Sequence, residues 1–251
     1  MGGAISRYFD KKGHSVKIYD KFKTINPLEE VLQQDFIFIA VPTPYNNGID
    51  LSAMDDAMAN ASKCPEGKIV VIKSTVIPGT TEKYQERYPH LNILFNPEFL
   101  TEKTGDQDFS YPDRQIVGYT KRSFAVSGDV MQLLPLAPFE RIIPATEAEL
   151  VKYFGNNWFS MKVAFANHMY DIAEKLGLDY DRIKEAVAAD KRIGRSHLEV
   201  FHAGYRGYGG KCLPKDIRAM ITFGDKLGVD LKVLKAVEDY NNILTGGEDK
   251  G

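Results

Sequence analysis

Short apolar runs separated by polar, helix-like stretches fill the first half of the chain. The runs at Val16–Asp20, Phe36–Pro42, Lys68–Thr75, Asn92–Asn96 and Gln115–Gly118 read as strands, and Arg141–Ile143 as a last one. Between them Pro27–Gln34, Leu51–Ser62, Thr80–Tyr88 and Ser123–Leu134 read as helices. Strands alternating with helices predict βαβ units and a mostly parallel sheet. Ile37-Phe38-Ile39-Ala40-Val41 is apolar without alternation, the pattern of a strand covered on both faces.

From Glu147 onward the pattern becomes helical. Glu147 to Leu176 carries Leu150, Phe154, Trp158, Met161, Phe165 and Met169 around most of its circumference. A helix of that length spans about 45 Å at about 1.5 Å per residue. Its apolar surface is wider than one stripe, which predicts packing on several sides, with a second subunit as one neighbour. Further helices are expected at Tyr180–Ala189, Pro214–Leu227 and Asp230–Leu244. The predicted organisation is an α/β domain over residues 1–145, an all-helical domain over 146–245 and a disordered tail over 246–251.

The N-terminus refines the first domain. Gly2 and Gly3 read as the end of a glycine turn leading into a helix; Gly13-His14 then leads into the run that ends at Asp20. In a dinucleotide-binding fold this is the second half of the first βαβ unit, and Asp20 would bond the adenosine ribose, favouring NAD over NADP. The expected sheet is therefore Rossmann-like but N-terminally incomplete, without its first strand and the leading glycines of a G-x-G-x-x-G fingerprint. An aspartate ending a strand is also an ordinary turn residue.

Composition narrows the classes. The chain has 251 residues, 26% of them charged, and a net charge of −2. That balance provides no basic footprint for nucleic acid or an anionic membrane. Cys64 and Cys212 are too few for a disulfide framework, and no C-x-x-C spacing suggests a metal site. No apolar run approaches the roughly 20 residues of a membrane span, and no signal-peptide pattern is present. A reducing cytoplasm is the expected setting.

The candidate chemistry centres on Gly207-Tyr208-Gly209-Gly210-Lys211-Cys212-Leu213-Pro214-Lys215-Asp216. Pro214 suits the first turn of a helix, which puts Cys212 near the positive end of the helix dipole, between two lysines. That setting favours the thiolate and a covalent nucleophile; a structural cysteine at a loop–helix junction is the alternative. Thr43 and Thr75 follow apolar strands, where open parallel sheets bind ligands, although strand-end turns use threonine too. Glu98 and Glu102 are four apart, so one helical turn would put both carboxylates on one face, beside Phe99 and Leu100. Such a carboxylate can act as a base; a solvated face is the alternative. Lys152 and Asn156 have the same spacing on the long helix, where lysine could stabilise an oxyanion or simply snorkel to solvent.

Taken together, these motifs resemble those of the UDP-glucose/GDP-mannose 6-dehydrogenases. The 207–216 segment carries the resemblance most specifically. It continues in order through Val41–Pro44, Lys73–Thr75, Asn96–Glu102, Lys152–Asn156 and Asp190–Gly194. The resemblance implies an NAD-binding domain, a central helical dimerisation domain and a further Rossmann-like domain beyond Asn242. It implies two hydride transfers to NAD⁺, converting a sugar C6 alcohol to a carboxylate, as from UDP-glucose to UDP-glucuronate. Carried over by motif, Cys212 would form a thiohemiacetal and then a thioester. Lys152, Asn156, Asp216, Glu98 and Thr75 would assist. Gly2, Gly3, Asp20, Thr43, Thr75, Glu102 and Lys215 would lie by NAD. Glu98, Phe99, Leu100, Lys152, Asn156, Phe201, Tyr205 and Gly209 would meet the sugar nucleotide. The other readings are a two-electron NAD-dependent hydroxy-acid dehydrogenase of related fold and a non-catalytic abridged homologue.

Overall fold

The computed structural model describes residues 2–23, 25–101, 104–202 and 204–249. Its first unit is built on a five-stranded sheet in the order β1 (Phe36–Ile39), β2 (Ile69–Ile72), β3 (Asn92–Phe95), β4 (Arg114–Tyr119), β5 (Phe139–Pro144). β1, β2 and β3 run parallel, with Phe36 opposite Ile69 and Ile69 opposite Asn92. β4 is antiparallel to β3 and parallel to β5. The expected Rossmann-like, mostly parallel arrangement is thus present.

The central strands read as unbroken apolar runs because both faces are covered. On one face Val70, Ile72, Ile93 and Phe95 pack with Met54 and Met58 of α3 (Ser52–Ala61) and Tyr84 of α4 (Thr80–Arg87). On the other, Val71, Leu94 and Val117 meet Ala4, Ile5 and Phe9 of α1 (Gly2–Lys11). Phe109 of α5 (Gly105–Ser110) and Val130 of α6 (Ser127–Leu133) complete that layer. A short helix, α2 (Leu28–Leu32), precedes β1.

Val16–Asp20 is not a strand. It forms no ladder, and its one bridge joins Asp20 to Lys23. The Ile18 N–H is instead satisfied by the Asn26 side chain at 2.9 Å, and the Ile18 carbonyl by Asn26 N–H at 3.1 Å. A strand exists only with a partner row of donors and acceptors, and no described residue provides one here.

The long helix α7 runs from Ala145 to Lys175, and the division between the two compact units, Met1–Lys152 and Tyr153–Gly251, falls inside it. Its first turns close on the sheet at Gly118, where an added Cβ would lie 2.8 Å from Ala148 Cβ and 2.9 Å from Ala145 Cα. The second unit adds α8 (Tyr180–Ala188), α9 (Leu213–Lys226) and α10 (Lys232–Thr245). Val163 of α7 packs there with Tyr208 and Ile217. A two-stranded ribbon, β6 (Phe201–His202) with β7 (Tyr205–Arg206), interrupts the otherwise helical unit. Arg206 docks that ribbon on α7, with Nη2 at 2.7 Å from Asp171 and Nε donating to Asn167 Oδ1 at 2.9 Å. Within the segment expected to be a disordered tail, Gly246 caps α10 with a left-handed φ of 71°, and Asp249 pairs with Arg218 at 2.8 Å.

Candidate active site

In the second unit the site is organised around the start of α9. Cys212 is its N-cap residue and is exposed; its carbonyl accepts the first helical bond, from Asp216 N–H at 2.9 Å. Pro214 occupies the first turn, where a missing N–H leaves nothing unsatisfied. One turn on, Asp216 is 1% exposed. Its two oxygens are held separately. Asn156 of α7 donates its side-chain amide to Oδ2, and Lys215 Nζ lies 2.5 Å from Oδ1. Asn156 is itself buried. The structure thus brings Asn156, Lys215 and Asp216 together one turn beyond the exposed thiol. Lys215, expected beside the cofactor, spends its charge on Asp216 here. Phe201 is exposed, with its ring edge-on to Tyr170 at 5.5 Å, and Tyr205 is half-buried on β7. The glycine turn is built on Gly207, with φ of 89°, and Gly210, with φ of 73°. Gly209 lies between them, half-buried.

In the first unit the candidate residues gather at the carboxyl ends of β1, β2 and β3. Thr43 is buried and its hydroxyl donates to the Thr75 carbonyl at 2.8 Å. Ser74 extends this seam: its hydroxyl donates to the Val41 carbonyl at 2.7 Å and accepts from Val41 N–H at 2.9 Å. Lys73, 2% exposed, donates to Asn96 Oδ1 at 2.7 Å and lies 3.0 Å from Glu98 Oε2. Burial pushes the Lys73 ammonium below the usual lysine range, and the neighbouring Glu98 opposes that shift.

Glu98 does not lie in a helix. Residues 96–101 are irregular, because Pro97 disfavours helical backbone at Asn96 and α5 begins only at Gly105. Glu102 lies outside the described residues. Glu98 is instead buried, with Oε1 accepting from Phe99 N–H at 3.0 Å. Phe99 and Leu100 are half-buried beside it, and Phe99 carries Arg114 on its ring at 3.9 Å and Lys152 Nζ at 5.8 Å.

The first unit offers some of the groups that a dinucleotide uses. Exposed Gly2 and Gly3 open α1, a ten-residue helix whose first-turn N–H groups suit a pyrophosphate. Asp20 presents a half-buried carboxylate, with Oδ1 accepting from Phe22 N–H at 2.9 Å. These groups fit NAD at the level of donor and acceptor type.

Sequence reasoning overlooked two residues. Lys73 was signalled by a charge closing the apolar run Ile69–Ile72. Glu149, fully buried on α7, accepts from Gly79 N–H at 2.5 Å, Thr81 N–H at 2.8 Å and the Thr81 hydroxyl at 2.6 Å. It caps α4 from a distant part of the chain, and its helical surroundings gave no sign of this.

Two family models account for most of the chain. Residues 14–132 match the NAD-binding domain of the UDP-glucose/GDP-mannose dehydrogenase family, and residues 146–243 match its central domain. A UDP-glucose 6-dehydrogenase of Rickettsia typhi is 34% identical over 84% of this chain and 50% of its own length. One from Haloferax volcanii is 32% identical over 89% of this chain and 56% of its own. Among solved structures, a UDP-glucose dehydrogenase from Pyrobaculum islandicum superposes with a TM-score of 0.77 at 36% identity, covering 86% of this chain and 52% of that one. The chain spans about half the length of the curated relatives it matches. With both domain models matched in order along a Rossmann-like sheet and a helical unit, the chain belongs to the UDP-glucose/GDP-mannose dehydrogenase family.

Proposed function

We propose that this chain carries the chemistry of an NAD-dependent nucleotide-sugar 6-dehydrogenase, oxidising a sugar C6 alcohol of the UDP-glucose type to a carboxylate. The observation that supports it best is an exposed Cys212 at the N-cap of α9, one turn before a buried Asp216 held by Asn156 and Lys215. A thiol before a helix N-terminus is well sited for nucleophilic work, and a fixed carboxylate beside it can hold or pass a proton.

In this reading Lys152 and Asn156 stabilise the alkoxide formed when the C6 hydroxyl loses its proton. NAD⁺, when bound, supplies the hydride acceptor for both oxidations. Gly2, Gly3, Asp20, Thr43 and Glu102 would hold it, with Thr75 in support. Cys212 sulfur bonds to C6 of the aldehyde, and the carbonyl electron pair moves to oxygen. Loss of a second hydride leaves a thioester. Glu98, with Thr75, orients the water whose oxygen bonds to C6 as the carbon–sulfur bond breaks, returning the thiol and releasing the carboxylate. Asp216 manages the proton at sulfur. Phe99, Leu100, Phe201, Tyr205 and Gly209 line the sugar nucleotide.

The functional unit is a homodimer through α7. Phe154, Trp158, Phe165, Ile172 and Leu176 are 51–73% exposed along it at helical spacing, more apolar surface on one helix than a solvated face needs.

The deciding experiment counts NADH. Purified chain with a sugar nucleotide and NAD⁺ is expected to release two NADH per sugar, and Cys212→Ser to form no carboxylate. One NADH per sugar, unaffected in Cys212→Ser, would instead indicate a two-electron hydroxy-acid dehydrogenase. A well-folded sample that binds neither ligand by calorimetry would indicate a non-catalytic homologue. Light scattering showing a monomer would refute the dimer.

A further inference from the structure

Lys73 is an unusual residue for the end of a central strand. Its ammonium is 2% exposed, closing an apolar run inside the first unit. Its orientation is fixed from behind. Asn96 donates its amide to the Ile116 carbonyl at 2.7 Å and to Gln115 Oε1 at 3.2 Å. That turns Asn96 Oδ1 toward Lys73 Nζ, at 2.7 Å. The Phe109 ring, 5.4 Å from Nζ, closes another side. The ammonium is thereby presented to Glu98, whose Oε2 lies 3.0 Å away in an ion pair. That oxygen is buried and, among the described residues, has the Lys73 ion pair as its contact and no further hydrogen bond.

A buried ion pair does little for stability, because desolvation offsets most of the attraction and apolar replacements are often neutral. A buried carboxylate with one oxygen anchored by Phe99 N–H and the other held only by the Lys73 charge is better suited to chemistry than to packing. The other charged groups around it are engaged elsewhere or set back. Arg114 and Lys152 lie over the Phe99 ring, and Asp108 of α5 is bonded by Thr101 and Thr104.

We infer that Lys73 is a positioning residue for Glu98: its ammonium fixes the direction of Oε2, the oxygen that accepts a proton from water. The inference rests on the dehydrogenase reading, in which Glu98 orients the water that hydrolyses the Cys212 thioester. Lys73 touches neither substrate nor sulfur in this account. The step is balanced within the chain: water loses a proton to Glu98 as its oxygen bonds to C6, the C6–sulfur bond breaks with its electron pair going to sulfur, and Cys212 leaves as the thiolate.

The test separates the steps in the full chain. Lys73→Met removes the charge. Lys73→Gln removes it but keeps length and a donor for Asn96, and serves if Lys73→Met does not fold. Rapid mixing with sugar nucleotide and NAD⁺ follows NADH, while quenched samples are weighed for a Cys212 adduct of substrate mass less four hydrogens. In both variants the first NADH burst and KM are expected to stay at the wild-type level. Thioester hydrolysis should slow at least about tenfold, less than the roughly 10²–10⁴-fold that general acid–base assistance supplies because Glu98 itself remains, and the adduct should accumulate. Lys73→Arg should recover part of the hydrolysis rate. Burst and hydrolysis falling together, or hydrolysis unchanged, would overturn the role of Lys73 and leave the dehydrogenase reading standing. A wild-type chain that forms no adduct and no NADH overturns that reading, and the Lys73 role with it.

Discussion

Asn156 of α7 donates its side-chain amide to Asp216 of α9, and both residues are buried. The pair joins a residue of the long helix to the turn that carries Cys212. Removing the donor leaves a buried carboxylate oxygen unsatisfied, which costs about 1–3 kcal/mol. Asn156→Ala is therefore expected to lower the melting temperature by several degrees. The swap Asn156→Asp with Asp216→Asn restores a donor facing a carboxylate and should recover part of that loss. Calorimetric melting of the two variants and wild type checks this; equal melting of Asn156→Ala and wild type would show that the bond adds nothing to stability.

Glu149 gives stability a pH dependence of definite sign. Burial pushes its carboxyl up to about 7 from an ordinary 4.5, against the donors at Gly79 and Thr81 that lower it. Between those values the unfolded chain releases the proton while the folded chain keeps it. This contribution is fully present below pH 4.5 and declines as pH rises toward 7, by about 3 kcal/mol over the window. Glu149→Gln should flatten that part of the profile in urea titrations from pH 4.5 to 7.5. A profile of unchanged slope would rule out Glu149 as its source.

Gly118 allows α7 to lie close on β4. A methyl group there would overlap Ala148 and the Ala145 backbone. Backbone cannot yield as a flexible side chain does, so Gly118→Ala is expected to destabilise by about 1–3 kcal/mol. Denaturant midpoints measure the loss. Ala148→Gly in the same chain should relieve one of the two contacts and leave the other.

Much of this architecture was legible because its signals are local. The apolar runs of β1 to β4 are bounded by turn residues, and α7 carries apolar positions for nearly its whole length. The motif around Cys212 places a glycine turn, a thiol and a first-turn proline within eight residues. What failed depended on partners. Val16–Asp20 has strand composition but no neighbouring row to bond, so Asn26 satisfies it instead. Glu98 has helical spacing to Glu102, but it lies in the irregular segment 96–101, and Glu102 is outside the described residues. Glu149 and Lys73 look like ordinary charged residues until the fold surrounds them. In each case the deciding atom lies far along the chain: Thr81 is 68 residues from Glu149, and Asn96 is 23 residues from Lys73.

The place of β1 at the end of the strand order bears on how the protein behaves in a tube. Among the described residues β1 pairs on one side only, and Phe36, Ile37, Phe38 and Ile39 include neither a charge nor a proline to discourage a further strand from pairing on the other. The hazard is colloidal and grows with concentration, even while each molecule remains fully folded. Samples kept dilute should stay clear longest.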